Sequence, residues 1–174
     1  MSEGSATPSE RVSSWLAAFD RALAAGDIAA ATALFAEDCY WRDLVAFTWN
    51  IKTMEGRDAI GSMLVATLAN VQPGGWALEG EASEAGGVTD AWITFETGVA
   101  RGRGHIRLKG DQCWTLLTTM TELKGHEEPR GATREKGVEH GAYKHRATWL
   151  ERRRQEEAEL GYTSQPYVVI IGGG

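Results

Sequence analysis

The sequence has few cysteines and no long apolar run. Only Cys39 and Cys113 occur among 174 residues, and two thiols so far apart do not make a disulfide framework. Both stand in apolar stretches, so we expect buried free thiols and a reducing, cytoplasmic environment. No apolar run approaches the ~20 residues that a membrane-spanning helix needs, and the polar N-terminus lacks the apolar core of a signal peptide. We therefore expect no membrane partner.

Positive charge is also scarce, because 18 Lys and Arg stand against 24 Asp and Glu, for a formal net charge of -6. Nucleic-acid binding needs a basic surface that neutralises phosphates, so we expect no nucleic-acid partner. A metal site is not expected either, since His126, His140 and His145 suit no common ligand motif. His105 alternates with two arginines, which indicates a surface position.

Periodic apolar residues predict two helices, a strand, a third helix and then an antiparallel run of four strands. Thr7 and Glu10 form a capping box around Pro8 for the first helix, Asp27 caps the second, and Gly56 precedes the third at residues 57–68. The predicted strands cover residues 39–47, 76–83, 88–97, 103–109 and 114–123. The last strand is apolar on both faces, so it is central or covered by another domain or subunit. Helices on one face of an antiparallel sheet define an α+β domain.

Composition divides the chain into four parts. Residues 1–8 are predicted to be a disordered N-terminus, and residues 9–123 form the α+β domain. Residues 124–165 are a charged, glycine-containing linker with a helix at 146–160 that has few apolar residues and should lie on a larger surface. Residues 166–174 are a β-branched run that enters a glycine cluster, which is typical of the first buried strand of a dinucleotide-binding domain.

Three short motifs in residues 9–123 give the first family resemblance. AAGD at residues 24–27, ALFAED at 33–38 and GRDAI at 56–60 follow one another at the expected spacing. This part of the chain resembles the SnoaL-like, ketosteroid-isomerase-like superfamily, also called nuclear-transport-factor-2-like. The resemblance implies a cone, in which a curved antiparallel sheet wraps around about three helices and encloses a mostly apolar pocket.

The remaining segment gives a second resemblance. WLERR at residues 149–153, EAELG at 157–161 and QPY at 165–167 lead into Gly172 and Gly174, which match the first two glycines of G-x-G-x-x-G. This segment resembles the joint in bacterial flavin-containing monooxygenases that carry an N-terminal SnoaL-like domain, truncated at the start of the FAD-binding motif. The resemblance implies FAD, NADPH and a downstream FAD domain for the full-length parent, and no cofactor in these 174 residues.

Asp43 is the sharpest candidate for catalysis. It stands on the first strand, where ketosteroid isomerases hold their general-base carboxylate. The isomerase also needs hydrogen-bond donors for an oxyanion, but Phe19 occupies the tyrosine position, and the acid's place falls near Cys113 or Trp114. The alternative for Asp43 is a structural carboxylate that bonds Trp49, Arg57 or a backbone amide.

Aromatic residues on or beside the predicted elements could line a pocket for a small apolar molecule, or could be ordinary core and interface packing. The candidate lining residues are Trp15, Phe19, Trp41, Trp49, Trp92 and Trp114.

Three functions remain open at this point. The first is an accessory domain of a flavin monooxygenase, for substrate access or dimerisation. The second is a stand-alone isomerase, cyclase or hydrolase with Asp43 as general base. The third is a non-catalytic module that forms a homodimer or binds a small ligand.

Overall fold

The structure, a computed structural model, describes residues 6–134 and 147–164. It divides into two compact units, Met1–Arg130 and Gly131–Gly174. No helix of the described part of the chain is long and apolar enough to cross a membrane.

Three helices belong to the first unit: α1 (Pro8–Ala24), α2 (Ile28–Ala33) and α3 (Gly56–Val71). The predicted capping box is confirmed, because the Thr7 hydroxyl accepts from the amide of Glu10 while the Glu10 carboxylate accepts from the amide of Thr7. The predicted cap of α2 is also confirmed, since the Asp27 carboxylate accepts from the amide of Ala30 at 2.9 Å. These local contacts set where the helices begin on the sheet.

Six strands form one curved sheet: β1 (Phe35–Leu44), β2 (Ile51–Glu55), β3 (Gly74–Ala85), β4 (Val88–Glu96), β5 (Ala100–Lys109) and β6 (Gln112–Leu123). Their order is β2-β1-β6-β5-β4-β3. The pair β1–β6 is parallel and the other four pairs are antiparallel. The α+β prediction is confirmed, with a mixed rather than wholly antiparallel sheet. The central position predicted for the last strand is also confirmed.

The sequence did not predict strand β2, because most of its side chains are exposed. Ile51, Lys52 and Thr53 are all exposed, so the strand lacks the alternation that marks one buried face. It lies at the edge of the sheet and pairs only with β1 among the described strands. Its pairing makes residues 45–50 a tight connection between β1 and β2, and this connection shapes the candidate site.

The second unit contains a short 3₁₀ helix (Gly131–Thr133) and α4 (Trp149–Glu159). Helix α4 is three residues shorter at its start than predicted, because Thr148 and Glu151 form its capping box. None of its residues is buried, and the surface expected to cover it stays a prediction. Gly172 and Gly174, with all of residues 165–174, lie outside the described residues.

Candidate functional site

The interior between α1 and the sheet is filled by aromatic side chains. Ring centroids lie 5.2 Å apart for Phe19 and Trp76, 4.6 Å for Trp76 and Phe95, and 4.9 Å for Trp41 and Phe47. The cluster comprises Trp15, Phe19, Phe35, Trp41, Phe47, Trp76 and Phe95, and all seven side chains are buried. Aromatic contacts of this kind stabilise a core beyond their buried area. The buried rings therefore lie in the interior where the resemblance implied a mostly apolar pocket.

Asp43 lies at the edge of this cluster and is fully buried. Its Oδ2 accepts hydrogen bonds from the amides of Phe47 (3.0 Å) and Thr48 (2.8 Å) and from the hydroxyl of Thr48 (2.9 Å). Its Oδ1 accepts from the hydroxyl of Thr118 at 2.8 Å. Both oxygens thus bond to groups of the protein, and no cationic side chain pairs with Asp43 among the described residues.

The same network continues into the aromatic cluster. The indole N–H of Trp41 donates to the hydroxyl oxygen of Thr118 at 2.9 Å, and that hydroxyl donates to Asp43. Buried polar groups that are all bonded favour one arrangement of their surroundings. Arg57, considered above as a partner of Asp43, instead donates to the carbonyl oxygen of Phe35. Backbone amides, the third alternative, are partners of Asp43 together with the hydroxyls of Thr48 and Thr118.

These hydrogen bonds hold the connection between β1 and β2, residues 45–50, called here the β1–β2 loop. Val45 and Trp49 adopt positive φ angles of 59° and 52°. Such angles are unfavourable for residues other than glycine, above all for a β-branched residue such as valine. Such angles persist where surrounding contacts fix the backbone. Asp43 fixes the backbone of this loop by accepting from the amides of Phe47 and Thr48.

A cavity of about 290 Å³ opens beside the β1–β2 loop. The loop, the C-terminal half of α3 and the turn between β4 and β5 form its walls. Its lining residues are Ala46, Phe47, Thr48, Trp49, Ala66, Thr67, Asn70, Val71, Thr97, Val99, Ala100 and Met120. Phe47 and Ala100 form a buried floor, whereas Trp49 and Val99 are 63% and 53% exposed. The cavity is therefore open to solvent along an apolar rim.

The six aromatic residues proposed as pocket lining lie in different places. Trp15, Phe19 and Trp41 belong to the buried cluster, and Trp15 also borders a surface depression beside α1. Trp49 lines the cavity. Trp92 and Trp114 belong neither to the buried cluster nor to the lining of the cavity. Trp92 is 45% exposed. Trp114 is half-buried, and the ammonium group of Lys109 lies 3.9 Å from its ring centroid. Sequence reasoning missed Phe47 and Asn70 at the cavity.

The face of the sheet opposite the core, called here the outer face, carries mixed side chains. Arg42, Leu117, His105 and Trp92 form one row across β1, β6, β5 and β4. The guanidinium carbon of Arg103 lies 4.2 Å from the Trp92 ring centroid. The surface position predicted for His105 is only partly right, because its side chain is 19% exposed. Burial lowers the pKa of His105, whereas Asp90, 3.5 Å away, acts in the opposite direction.

Both cysteines are free and buried, as predicted. Burial raises the pKa of Cys39 and raises that of Cys113 well above its ordinary value. A thiol held in its protonated form is a poor nucleophile and a poor metal ligand. The described residues contain no group of three or more His, Cys, Asp or Glu that could hold a metal ion, and His140 and His145 lie outside them.

The helices, the sheet order and the buried cluster define a nuclear-transport-factor-2-like α+β domain. The model of the SnoaL-like domain family matches residues 16–119, more than half of the chain, so the protein belongs to the SnoaL-like domain family. No match was found among curated protein sequences.

Solved structures share the fold at low sequence identity. A candidate isomerase from Bacillus subtilis is 13% identical, with 67% of this chain and 90% of that chain covered and a TM-score of 0.52. A ketosteroid isomerase-like protein from Erwinia carotovora atroseptica is 13% identical, with 63% and 92% covered and a TM-score of 0.50. The orange carotenoid protein of Anabaena (Nostoc) sp. PCC 7120 is 17% identical with a TM-score of 0.49, and the match covers 61% of this chain and 35% of that chain.

Proposed function

We propose that this SnoaL-like domain is a non-catalytic accessory domain of an FAD- and NADPH-dependent monooxygenase, in which it shapes substrate access or subunit pairing. The observation that carries the non-catalytic part is Asp43. A general base must reach the proton that it abstracts, but the Asp43 carboxylate is fully buried and bonded through both oxygens. Cys113 and Phe19, at the two positions for oxyanion donors, are buried and supply no strong donor.

The monooxygenase part of the proposal rests on the sequence after the domain. The lead-in at residues 149–167, together with Gly172 and Gly174, resembles the start of an FAD-binding motif. Such a motif binds the pyrophosphate through its glycine-rich turn and the N-terminus of the following helix. Gly172 and Gly174 match the first two of the three glycines of that motif, and we expect the 174-residue chain by itself to bind neither FAD nor NADPH.

The experiment that tests the link is to read the encoding DNA past the codon for Gly174. An open frame that supplies two residues, a glycine and an amphipathic helix supports the proposal. A stop codon directly after Gly174 contradicts it. The purified 174-residue chain should also lack visible flavin absorbance, and tight retention of FAD by this chain would count against the proposal.

Homodimerisation is a second candidate, favoured by the composition of the outer face. Trp92 and Tyr40 are 45% and 43% exposed there, and the half-buried Leu117 lies on β6, between their two strands. Pairing through this face would remove their apolar surface from water. Sedimentation at increasing protein concentration measures the pairing, and a monomer at the highest concentration would contradict it.

A further inference from the structure

We propose that the surface depression beside α1 binds one small organic cation, an amine with an apolar body. The depression has a volume of about 620 Å³, which lies within the ~300–1,000 Å³ found for ligand pockets. It shares no lining residue with the cavity beside the β1–β2 loop. Its described lining residues are Ala6, Glu10, Arg11, Ser14, Trp15, Ala18, Leu34 and Asp111. The site is part of this domain and depends on neither the monooxygenase link nor pairing.

The floor of the depression is apolar and held in place by the backbone. Trp15 is 4% exposed, and its indole N–H donates to the carbonyl oxygen of Leu34 at 3.0 Å. The same carbonyl accepts from the amide of Cys113 at 2.9 Å, which joins the floor to β6. Ala18, three residues after Trp15 on α1, adds only a methyl group to the wall. A flat hydrocarbon body can therefore pack on a surface that exists before it binds, which lowers the entropic cost of binding.

The carboxylates of the lining favour a positively charged ligand. Glu10 and Asp111 are both exposed and both belong to the lining. Hydrogen bonds from the amide and the hydroxyl of Thr7 lower the pKa of Glu10, so its carboxylate is ionised at neutral pH. Asp111 has neither an ion pair nor a side-chain hydrogen bond among the described residues. An ammonium group would gain two opposite charges here.

Arg11 is the one cation among the described lining residues, and its charge is already compensated. Its guanidinium group forms an ion pair with Glu84 and donates to the hydroxyl of Thr89 at 2.8 Å. Its Nε–H has no acceptor among the described residues but is buried, so it offers no free donor to the depression. Because Glu84 offsets Arg11, the charges of Glu10 and Asp111 give the depression a negative balance. A ligand anion would be repelled.

The test is a titration of the purified, isotope-labelled chain followed by NMR. Phenethylamine carries an ammonium group, and phenethyl alcohol has the same carbon skeleton with a hydroxyl group in its place. The indole N–H signal of Trp15 reports on the site, because this group bonds to Leu34 within the lining. We expect a saturable shift of that signal by the amine and about fivefold weaker binding of the alcohol. No saturable shift by the amine, or equal affinity for the alcohol, would overturn the proposal.

One pair of variants tests the role of charge. Asp111→Asn keeps the size of the side chain but removes its charge, so it should weaken the amine about threefold and leave the alcohol unchanged. Asp58→Asn is the control, since Asp58 is exposed on α3 outside the depression, and it should change neither affinity. Equal weakening of the amine by both variants would show a general effect of net charge and would contradict the site.

A second pair of variants locates the binding. Ser14 lines the depression, whereas its neighbour Ser13 is exposed on α1 outside it. Ser14→Phe should fill the depression and weaken the amine at least about tenfold, and Ser13→Phe should leave its affinity unchanged. Both variants make the same exchange on the same helix, so their effects on helix propensity are matched. Binding that survives Ser14→Phe, or that is lost equally in Ser13→Phe, would place the amine elsewhere and overturn the proposal.

Discussion

The two faces of one sheet use the same residue types for different purposes. In the buried row, Trp41 of β1 is followed across the sheet by Leu116, Ile106 and Ala91. The next residue of β1, Arg42, begins the adjacent row, which continues across the sheet with Leu117, His105 and Trp92. Since side chains alternate between the two faces of a strand, one position along the chain separates a core residue from a surface residue.

The comparison shows what decides the role of a tryptophan in this domain. The Trp41 indole is fully buried, and its N–H donates to the hydroxyl oxygen of Thr118. The Trp92 indole is 45% exposed and lies between the guanidinium group of Arg103 and the ring of His105, whose centroid is 4.9 Å away. Around Asp43 the inner face therefore depends on buried polar groups that are bonded to one another, and the outer face depends on contacts that water also reaches. Substitutions on the two faces should differ accordingly.

The largest effect is expected on the inner face at Asp43. Asp43→Ala would leave the buried amide of Phe47, the part-buried amide of Thr48 and the buried hydroxyl of Thr118 without their acceptor. The hydroxyl of Thr48 would keep the carbonyl oxygen of Asn50 as an acceptor. Each unsatisfied buried group costs about 1–3 kcal/mol, so we expect a loss of about 3–5 kcal/mol in the free energy of unfolding. Denaturant unfolding measures this loss.

The control for this substitution is Asp38→Ala on the same strand. Asp38 is exposed and pairs with Lys109 at 3.2 Å, so its removal should change stability by less than about 0.5 kcal/mol. Equal effects at the two aspartates would contradict the role assigned to the Asp43 network. Should an enzymatic activity be found, its survival in Asp43→Asn would exclude the general-base hypothesis.

A second effect on the inner face is expected at Gly104 of β5. A Cβ atom there would overlap the carbonyl oxygen of Leu117 on the neighbouring strand and lie 3.0 Å from Cγ1 of Ile93. The backbone cannot yield as a flexible side chain can, so Gly104→Ala should cost about 2–3 kcal/mol in thermal or denaturant unfolding.

Gly61 of α3 provides the matched control. A Cβ atom there would meet only ordinary contacts, with Thr32 Cγ2 at 3.5 Å. Alanine in a helix loses less backbone entropy than glycine, so Gly61→Ala should stabilise the domain by about 0.5–1 kcal/mol. Destabilisation by Gly61→Ala together with a neutral Gly104→Ala would show that the two backbone environments are wrongly described.

Local signals in the sequence predicted the helices well. The capping box at Thr7 and Glu10 and the cap at Asp27 join residues three positions apart, so the sequence alone contains both partners. Strand β2 escaped prediction because exposed residues such as Ile51 and Lys52 leave no periodic pattern. It is held by register with β1, from Tyr40–Glu55 to Leu44–Ile51, which no local pattern expresses.

The candidate site could be predicted only in part. The sequence indicates Asp43 as the candidate residue, and Thr48, which donates hydrogen bonds to its carboxylate, is near it in sequence. Thr118 is 75 positions away, so the sequence does not show that both carboxylate oxygens are occupied. The cavity joins the β1–β2 loop to Asn70 of α3 and Val99 of a distant turn. Such a site arises from the way the sheet curves around the helices, and single-sequence patterns do not record it.

On the outer face, a change of pH is expected to have a smaller effect on the free energy of unfolding, through His105. Burial lowers the pKa of His105 in the folded domain, against the opposing charge of Asp90, and Arg107 acts in the same direction as burial. The unfolded chain then binds more protons than the folded one, so stability rises with pH. Neutral His105 contributes fully to stability above the ordinary histidine pKa of ~6.5, and this contribution is lost as the pH falls below that value.

Unfolding by denaturant across this pH range, for the natural chain and for His105→Gln, measures the contribution. The difference in stability between the two should shrink as the pH falls, because glutamine does not titrate. Identical pH profiles would show that His105 is not the group responsible.

The smallest effect on the free energy of unfolding is expected for Trp92→Ala on the outer face. Trp92 is half exposed, and its contacts with Arg103 and His105 are shared with water, so its removal should cost less than about 1 kcal/mol. If two copies pair through the outer face, however, the same substitution should shift the sedimentation equilibrium towards the monomer. Trp49→Ala removes a more exposed tryptophan from the cavity rim and should leave that equilibrium unchanged. Loss of pairing in Trp49→Ala but not in Trp92→Ala would place the contact at the cavity end, and the outer face would then be an ordinary solvated surface.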